Sequence, residues 1–222
     1  METPSTKERI INTAIMLFSD RGYDSVSMRD IAAEVGIKAG SIYNHFPSKV
    51  GILKSLYELY ARERSLVFPD IKDVLRLLET ELLDDVLPGM SYCWPPQLQD
   101  RMDRIMLIAC QRIRIDKDSE NFIREHFFEA LIGIWVPLLN RGIELGKIRA
   151  VDTGSYSKML AYYAFSAAQL NCTSMKLTFE QWGGGLKMFY SLLKPAEESK
   201  TAINKEGQKN DGNCICKNGK RQ

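Results

Sequence analysis

Residues 27–53, SMRDIAAEVGIKAGSIYNHFPSKVGIL, hold two short helical patterns with one glycine between them. Ser27 and Asp30 stand three apart, as a capping box requires, at the head of a pattern carrying Met28, Ile31 and Ala32. That pattern runs to about Val35, where Gly36 permits a tight turn. A second pattern covers roughly Lys38 to His45, and Pro47 ends it. Val35 and Ile37 flank the glycine, and their burial would pin the two helices at a fixed angle.

The remaining periodicity is also helical. Residues 6–19 place Ile10, Ile11, Ala14, Ile15, Leu17 and Phe18 at helical spacing, and Gly22 stops that helix. Ser48 caps a fourth helix with Leu53, Leu56, Tyr57 and Tyr60. Further helices are expected over 71–87, 98–115, 120–145 with a kink at Pro137, 154–175 and 179–193. No strand-like alternation of useful length interrupts them, so the expected class is all-α. The expected division is a helix-turn-helix domain over 1–50, a helical domain over 51–194, and a tail over 195–222. The tail is rich in Lys, Glu, Asn and Gly, and such a composition does not pack.

Bulk charge decides nothing, because the net charge of 222 residues is only +2. The local arrangement matters more. No acidic residue occurs between Glu34 and Glu58, while Lys38, Lys49 and Lys54 do. The five cysteines are odd in number and three lie in apolar helical patterns, unlike a secreted disulfide framework. Cys214 and Cys216 have no His or Cys partner close by and read as free thiols in the tail. No apolar run approaches the ~18–20 residues of a membrane span, so a soluble cytoplasmic setting is expected. The two histidines, His45 and His126, fall in different expected domains. No nucleophile–base set, close carboxylate pair or metal-ligand helix accompanies them, so neither an enzyme nor a cofactor or metal is expected.

On a helical wheel of the segment from Lys38, Ala39, Ile42 and Phe46 share one face and would pack on Ile31, Ala32 and the first helix. Gly40, Ser41, Tyr43 and Asn44 fall opposite. Small residues there let a backbone approach base edges, and Ser, Asn and Tyr can bond to bases or phosphates. A compact three-helix packing unit would show the same pattern. His45 lies at the flank, open to either a packed neutral imidazole or a phosphate contact.

Residues 27–53 closely resemble the DNA-binding motif of the TetR family of regulators. The resemblance is carried by Ile31-Ala32, Val35-Gly36, Gly40-Ser41-Ile42-Tyr43, His45-Phe46 and Lys49, and by the first helix with Gly22-Tyr23. It implies base and phosphate contacts from Ser27, Lys38, Gly40, Ser41, Tyr43, Asn44, His45 and Lys49. Asn44 stands where many members carry an aromatic residue, which leaves the operator sequence open. The resemblance further implies a palindromic double-stranded operator, a small-molecule effector, and a homodimer formed through the last two helices. The implied function is a ligand-responsive repressor. The alternative is an architectural or assembly protein on DNA with no effector.

Small residues Ala161, Ala164, Ser166, Ala167 and Ala168 would allow close helix approach across a two-fold axis. Three consecutive glycines, Gly183 to Gly185, either break the last helix or sit where another backbone comes close. Met106, Cys110, Phe127, Trp135, Tyr162, Phe165 and Gln169 are candidate lining residues for an apolar or aromatic effector. Arg112, Arg114 and His126 would add an anionic preference if they faced it.

Overall fold

The computed structural model describes residues 4–67, 70–80, 95–170, 173, 175 and 178–195. The expected tail, Cys214 and Cys216, and the segment from Glu81 to Trp94 lie outside the described residues. Every described element is helical. In chain order these are α1 (Thr6–Arg21), α2 (Met28–Val35), a 3-10 helix (Ser41–Asn44), α3 (Lys49–Val67), α4 (Ile71–Thr80), α5 (Pro96–Arg112) and α6 (Lys117–Ile123). A π-helical turn (Arg124–Glu129) leads into α7 (Ala130–Glu144), followed by α8 (Thr153–Leu170) and α9 (Phe179–Ser191).

By packing, the chain sorts into two compact units, Met1–Leu66 with Pro96–His126, and Val67–Pro95 with Phe127–Gln222. The first unit therefore holds the helix-turn-helix together with α5 and α6. Among the described residues, no helix is long and apolar enough to cross a membrane.

In the first unit, α1 packs against α2 and α5, and α5 packs against α6. Ile10, Phe18, Ile31, Ile42, Ile52, Leu56, Ile105 and Ile108 form its solvent-free interior. Burying each such side chain is worth about 1.5–3 kcal/mol. The helix ends are set locally. Ser5 and Glu8 close a capping box on α1, and Ser27 and Asp30 close another on α2. The Ser27 hydroxyl and backbone hold the Asp30 carboxyl below the usual carboxylate range. Gly36 ends α2 at φ +78°, a left-handed conformation that a side chain would strain. The Arg9 guanidinium donates to the Val35 carbonyl and ties α1 to that same end.

Polar bonds join α5 to the end of α1. Arg104 donates to Ser19 Oγ at 2.8 Å and Asp20 Oδ1 at 2.6 Å. Eight residues on, Arg112 pairs with Asp24 at 3.0 Å and Asp116 at 2.7 Å. Burial works against the Arg112 charge, but Asp116 and Asp24 outweigh it and hold the guanidinium more firmly protonated. Asp116 also accepts from Ser119 Oγ at 3.0 Å, and that hydroxyl lies 2.7 Å from the buried Tyr57 hydroxyl.

In the second unit, α4 packs on α7 and α7 on α8. Its interior includes Leu78, Leu131, Trp135, Leu138, Leu139, Leu160 and Leu186. The Lys147 ammonium donates to the Leu78 carbonyl, and Arg141 pairs with Glu79 at 2.7 Å. The expected continuous helix over 120–145 is instead α6, the π-helical turn and α7. The irregularity thus lies at Arg124–Glu129, while Pro137 sits within α7. Proline removes one backbone donor, and a helix bonded on both sides of it can run through.

Two other expectations change. Ala161, Ala164, Ala167 and Ala168 are already buried within the chain, and only Ser166 of that cluster is exposed. These small residues serve internal packing. The three glycines do not break α9. Gly183 and Gly184 face open space, whereas a Cβ on Gly185 would stand 2.0 Å from the Tyr163 hydroxyl oxygen. The close neighbour is thus a side chain of α8, at one glycine of the three.

Candidate nucleic-acid interface

The segment after Gly36 forms a 3-10 helix of four residues rather than a helix from Lys38 to His45. Ser41 N–H donates to the Lys38 carbonyl and His45 N–H to the Ile42 carbonyl, both three residues back. The segment is short, and Pro47 restricts the backbone just before it, so little can propagate. Ile42 and Phe46 are buried as expected and hold the segment on the first unit. Ala39, expected beside them, is exposed, because the tighter winding turns it away.

The outward face carries Lys38, Gly40, Tyr43, Asn44 and His45, all exposed, with Ser41 half-buried. Tyr43 is 52% exposed. His45 being exposed removes the packed-imidazole alternative. Ser27 lies exposed at the N-cap of α2, with its hydroxyl donating to Asp30 at 2.7 Å.

The surrounding cations divide into two kinds. Lys38 is exposed with no ion-pair partner among the described residues, and the same holds for Arg29, which the motif reading missed. Arg29 follows the capping serine by two positions, and that spacing would have flagged it. Lys7 of α1 lies 5.6 Å from the Phe46 ring centre, a neighbour that no local motif could announce. The other kind is engaged. Lys54 pairs with Asp118 of α6 at 3.2 Å, so the acid-free run does not stay acid-free in space. Lys49 Nζ lies 2.9 Å from the carbonyl oxygens of both Tyr23 and Val26, and 4.3 Å from the centre of the Tyr23 ring.

The expected effector residues do not fall in one unit. Met106 and Cys110 are on α5 in the first unit, Met106 buried and Cys110 half-buried. Phe127, Trp135, Tyr162, Phe165 and Gln169 are in the second. There Phe127 and Phe165 meet at 5.4 Å between ring centres, and Phe128 reaches Tyr162 at 5.2 Å. Tyr162 itself is 63% exposed. Trp135 lies 6.1 Å from Tyr190, a residue the sequence reading did not name. Among the described residues, the Tyr190 hydroxyl is buried without a hydrogen-bond partner, and so is Ser157 Oγ. Arg112, Arg114 and His126, the three residues expected to favour an anion, all belong to the first unit, and Arg112 is occupied by Asp24 and Asp116. Among the described residues, no group of three or more His, Cys, Asp or Glu is placed to hold a metal ion.

Comparison with known proteins bears on both halves. Residues 10–56 match the family described as bacterial regulatory proteins, tetR family. Over 123 residues the chain is 31% identical to the HTH-type transcriptional regulator YerO of Bacillus subtilis, covering 55% of this chain and 40% of that protein. Over 52 residues it is 52% identical to the biofilm operon icaADBC HTH-type negative transcriptional regulator IcaR of Staphylococcus aureus, covering 23% and 26%. The matched part thus spans less than half the length of these curated relatives. Similar solved structures include the ketosteroid transcriptional regulator KstR2 of Mycobacterium tuberculosis, with TM-score 0.61 and 19% identity over 87% of this chain and 97% of that one. A TetR-family regulator from Agrobacterium tumefaciens gives TM-score 0.62 and 20% identity over 86% and 98%. At such identities these two speak for the fold. Residues 10–56 thus match the tetR family of bacterial regulatory proteins in sequence, and the chain shares the fold of such regulators.

Proposed function

We propose that this chain is a sequence-specific DNA-binding transcriptional repressor that works as a homodimer and releases DNA when a small molecule binds the second unit. The carrying observation is the exposed turn of Gly40, Ser41, Tyr43, Asn44 and His45, fixed from behind by buried Ile42 and Phe46. A polar, small-residue face on a rigid base suits the major groove, and exposed Lys38 and Arg29 suit the flanking phosphates. The similarity to IcaR, a negative regulator, supports repression.

Dimerisation is supported by apolar residues left in solvent on the last two helices. Met159 and Tyr162 are exposed on α8, and Met188 on α9 and Leu192 just beyond its end lie one turn apart. Gly184, one turn before Met188, is exposed too. A second copy seated there would give the molecule two recognition turns, as a two-fold symmetric operator requires.

The interior of the second unit supports an apolar or aromatic effector. Its buried described residues include no charged side chain, and two of them, Tyr190 and Ser157, present hydroxyls with no partner. A buried hydroxyl left unbonded is costly, and an incoming acceptor would relieve that cost. Two such hydroxyls in a unit whose buried described side chains carry no charge favour the sensing reading.

Repeated enrichment of bound duplexes from a random pool tests the proposal. The expected product is a palindrome whose retention is lost with Tyr43→Ala. A pool that converges on no sequence would contradict sequence-specific binding.

A further inference from the structure

The resemblance implies a phosphate contact from Lys49, yet the geometry gives its ammonium other work. A lysine ammonium has three N–H donors. Two are taken by the Tyr23 and Val26 carbonyls, each at 2.9 Å. The Tyr23 ring lies 4.3 Å from the same nitrogen, within the range of a cation–π contact. Lys49 is the first residue of α3, and both carbonyls belong to the turn between α1 and α2. The side chain therefore bridges the two ends of the helix-turn-helix.

The same turn is held from another direction. The Arg112 guanidinium carbon lies 4.0 Å from the centre of the Tyr23 ring, and its Nη1 donates to Asp24 at 3.0 Å. Tyr23 also meets Phe18 of α1 at 4.9 Å between ring centres. The turn from Gly22 to Val26 thus sits between a cation from α3 and a cation from α5. For Lys49 to turn more than its one remaining N–H to a phosphate it would have to leave two carbonyls and an aromatic face. Lys38, exposed and without an ion-pair partner, has nothing of the kind to leave.

We propose that Lys49 is a positioning residue: it fastens the α1–α2 turn to the start of α3 and contributes no charge to the DNA phosphates. The inference rests on the DNA-binding reading above for its role, but the staple itself is a property of the free chain. Its effect on DNA is indirect. With the staple in place, α2 and the recognition turn are held at one angle to α3.

Salt dependence separates the two roles. Each phosphate neutralised by a side chain steepens the slope of log affinity against log salt by about 0.9. The affinity of the full chain for an enriched duplex is measured across a salt series for wild type, Lys38→Met and Lys49→Met. Lys38→Met is expected to flatten the slope by about 0.9 and leave the melting temperature unchanged. Lys49→Met is expected to lower affinity by one constant factor at every salt, keep the wild-type slope, and lower the melting temperature. A Lys49→Met slope flatter by about 0.9 would overturn the proposal.

Should Lys49→Met fail to fold, the wild-type chain still decides. Acetylation of its amines by acetic anhydride, read by peptide mass, is expected to leave Lys49 nearly unmodified both free and on DNA. Lys38 is expected to react when free and be protected on DNA. A Lys49 that reacts as fast as Lys38 in the free chain would overturn the staple. If no duplex is bound at any salt, the DNA reading fails, and the free-chain reactivity of Lys49 still tests the staple.

Discussion

Two groups of buried hydroxyls, one in each compact unit, stand in opposite surroundings. In the first, a chain of bonds runs from Asp24 through Arg112, Asp116 and Ser119 to the Tyr57 hydroxyl. In the second, the Tyr190 and Ser157 hydroxyls are buried with no partner among the described residues. A saturated network fixes one geometry, while an unsaturated one leaves affinity for something not yet bound. The contrast is one between these groups, since Arg101 Nε in the first unit is also buried without a hydrogen bond among the described residues, and it fits the roles proposed for the two units: a rigid reader and a receptive sensor.

The strongest way to break the comparison is to loosen the reader. Phe18 of α1 is fully buried, and its ring meets that of Tyr23 at 4.9 Å between centres, tilted by 59°. Phe18→Ala is expected to cost about 3–5 kcal/mol in urea unfolding, and DNA binding should go with it. Retained DNA binding at wild-type affinity would mean that the turn does not need this support.

The glycines of α9 sharpen the other side. Gly185→Ala drives a methyl group into the Tyr163 hydroxyl and is expected to destabilise the chain by about 1–3 kcal/mol. Gly183→Ala meets nothing and is expected to stabilise by up to about 1 kcal/mol through helix propensity. Equal effects of the two, by thermal unfolding, would remove the distinction between them.

The two buried tyrosines give a paired test of smaller size. Tyr57→Phe breaks the bond to Ser119 and is expected to cost about 1 kcal/mol. Tyr190→Phe removes a hydroxyl without a partner, so stability should hold or rise by a similar amount. If Tyr190→Phe destabilises as much as Tyr57→Phe, the contrast between the two hydroxyls fails.

The smallest expected effect is a pH dependence in the first unit. Burial, with Arg64 adding to it against the pull of Glu125, holds the His126 imidazole below its ordinary pKa. The unfolded chain then binds a proton that the folded chain resists. Stability should be unaffected above the ordinary imidazole range, and fall as pH drops from that value toward the lowered one. The His126→Gln variant should lose that part of the slope in melting temperature against pH. An unchanged slope would place the dependence elsewhere.

The sequence was most legible where local chemistry sets geometry. Ser27, Asp30 and Gly36 announce the ends of α2, because caps and left-handed turns are decided within a few residues. Ile42 and Phe46 were readable as buried, but the winding between them was not. Over so few residues, spacings of three and four cannot be told apart, and Ala39 went to the wrong face. Long-range facts left no local trace. Lys49 looks like any lysine at a helix start until folding brings two carbonyls to it. The glycine triplet was conspicuous, yet only Gly185 faces Tyr163, since consecutive helical positions point about 100° apart. Tyr190 and Ser157 became notable only through what fails to surround them.

The central claim is that the turn at Gly40 to His45 reads DNA. The most direct test is the affinity of the full chain for its enriched duplex and for a scrambled duplex of equal length, from ~50 to ~200 mM salt. The account predicts that both affinities fall with salt, that the enriched duplex stays tighter by at least ~10³-fold, and that Tyr43→Ala removes most of that margin. Equal affinity for the two duplexes at every salt, or a margin untouched by Tyr43→Ala, would contradict it.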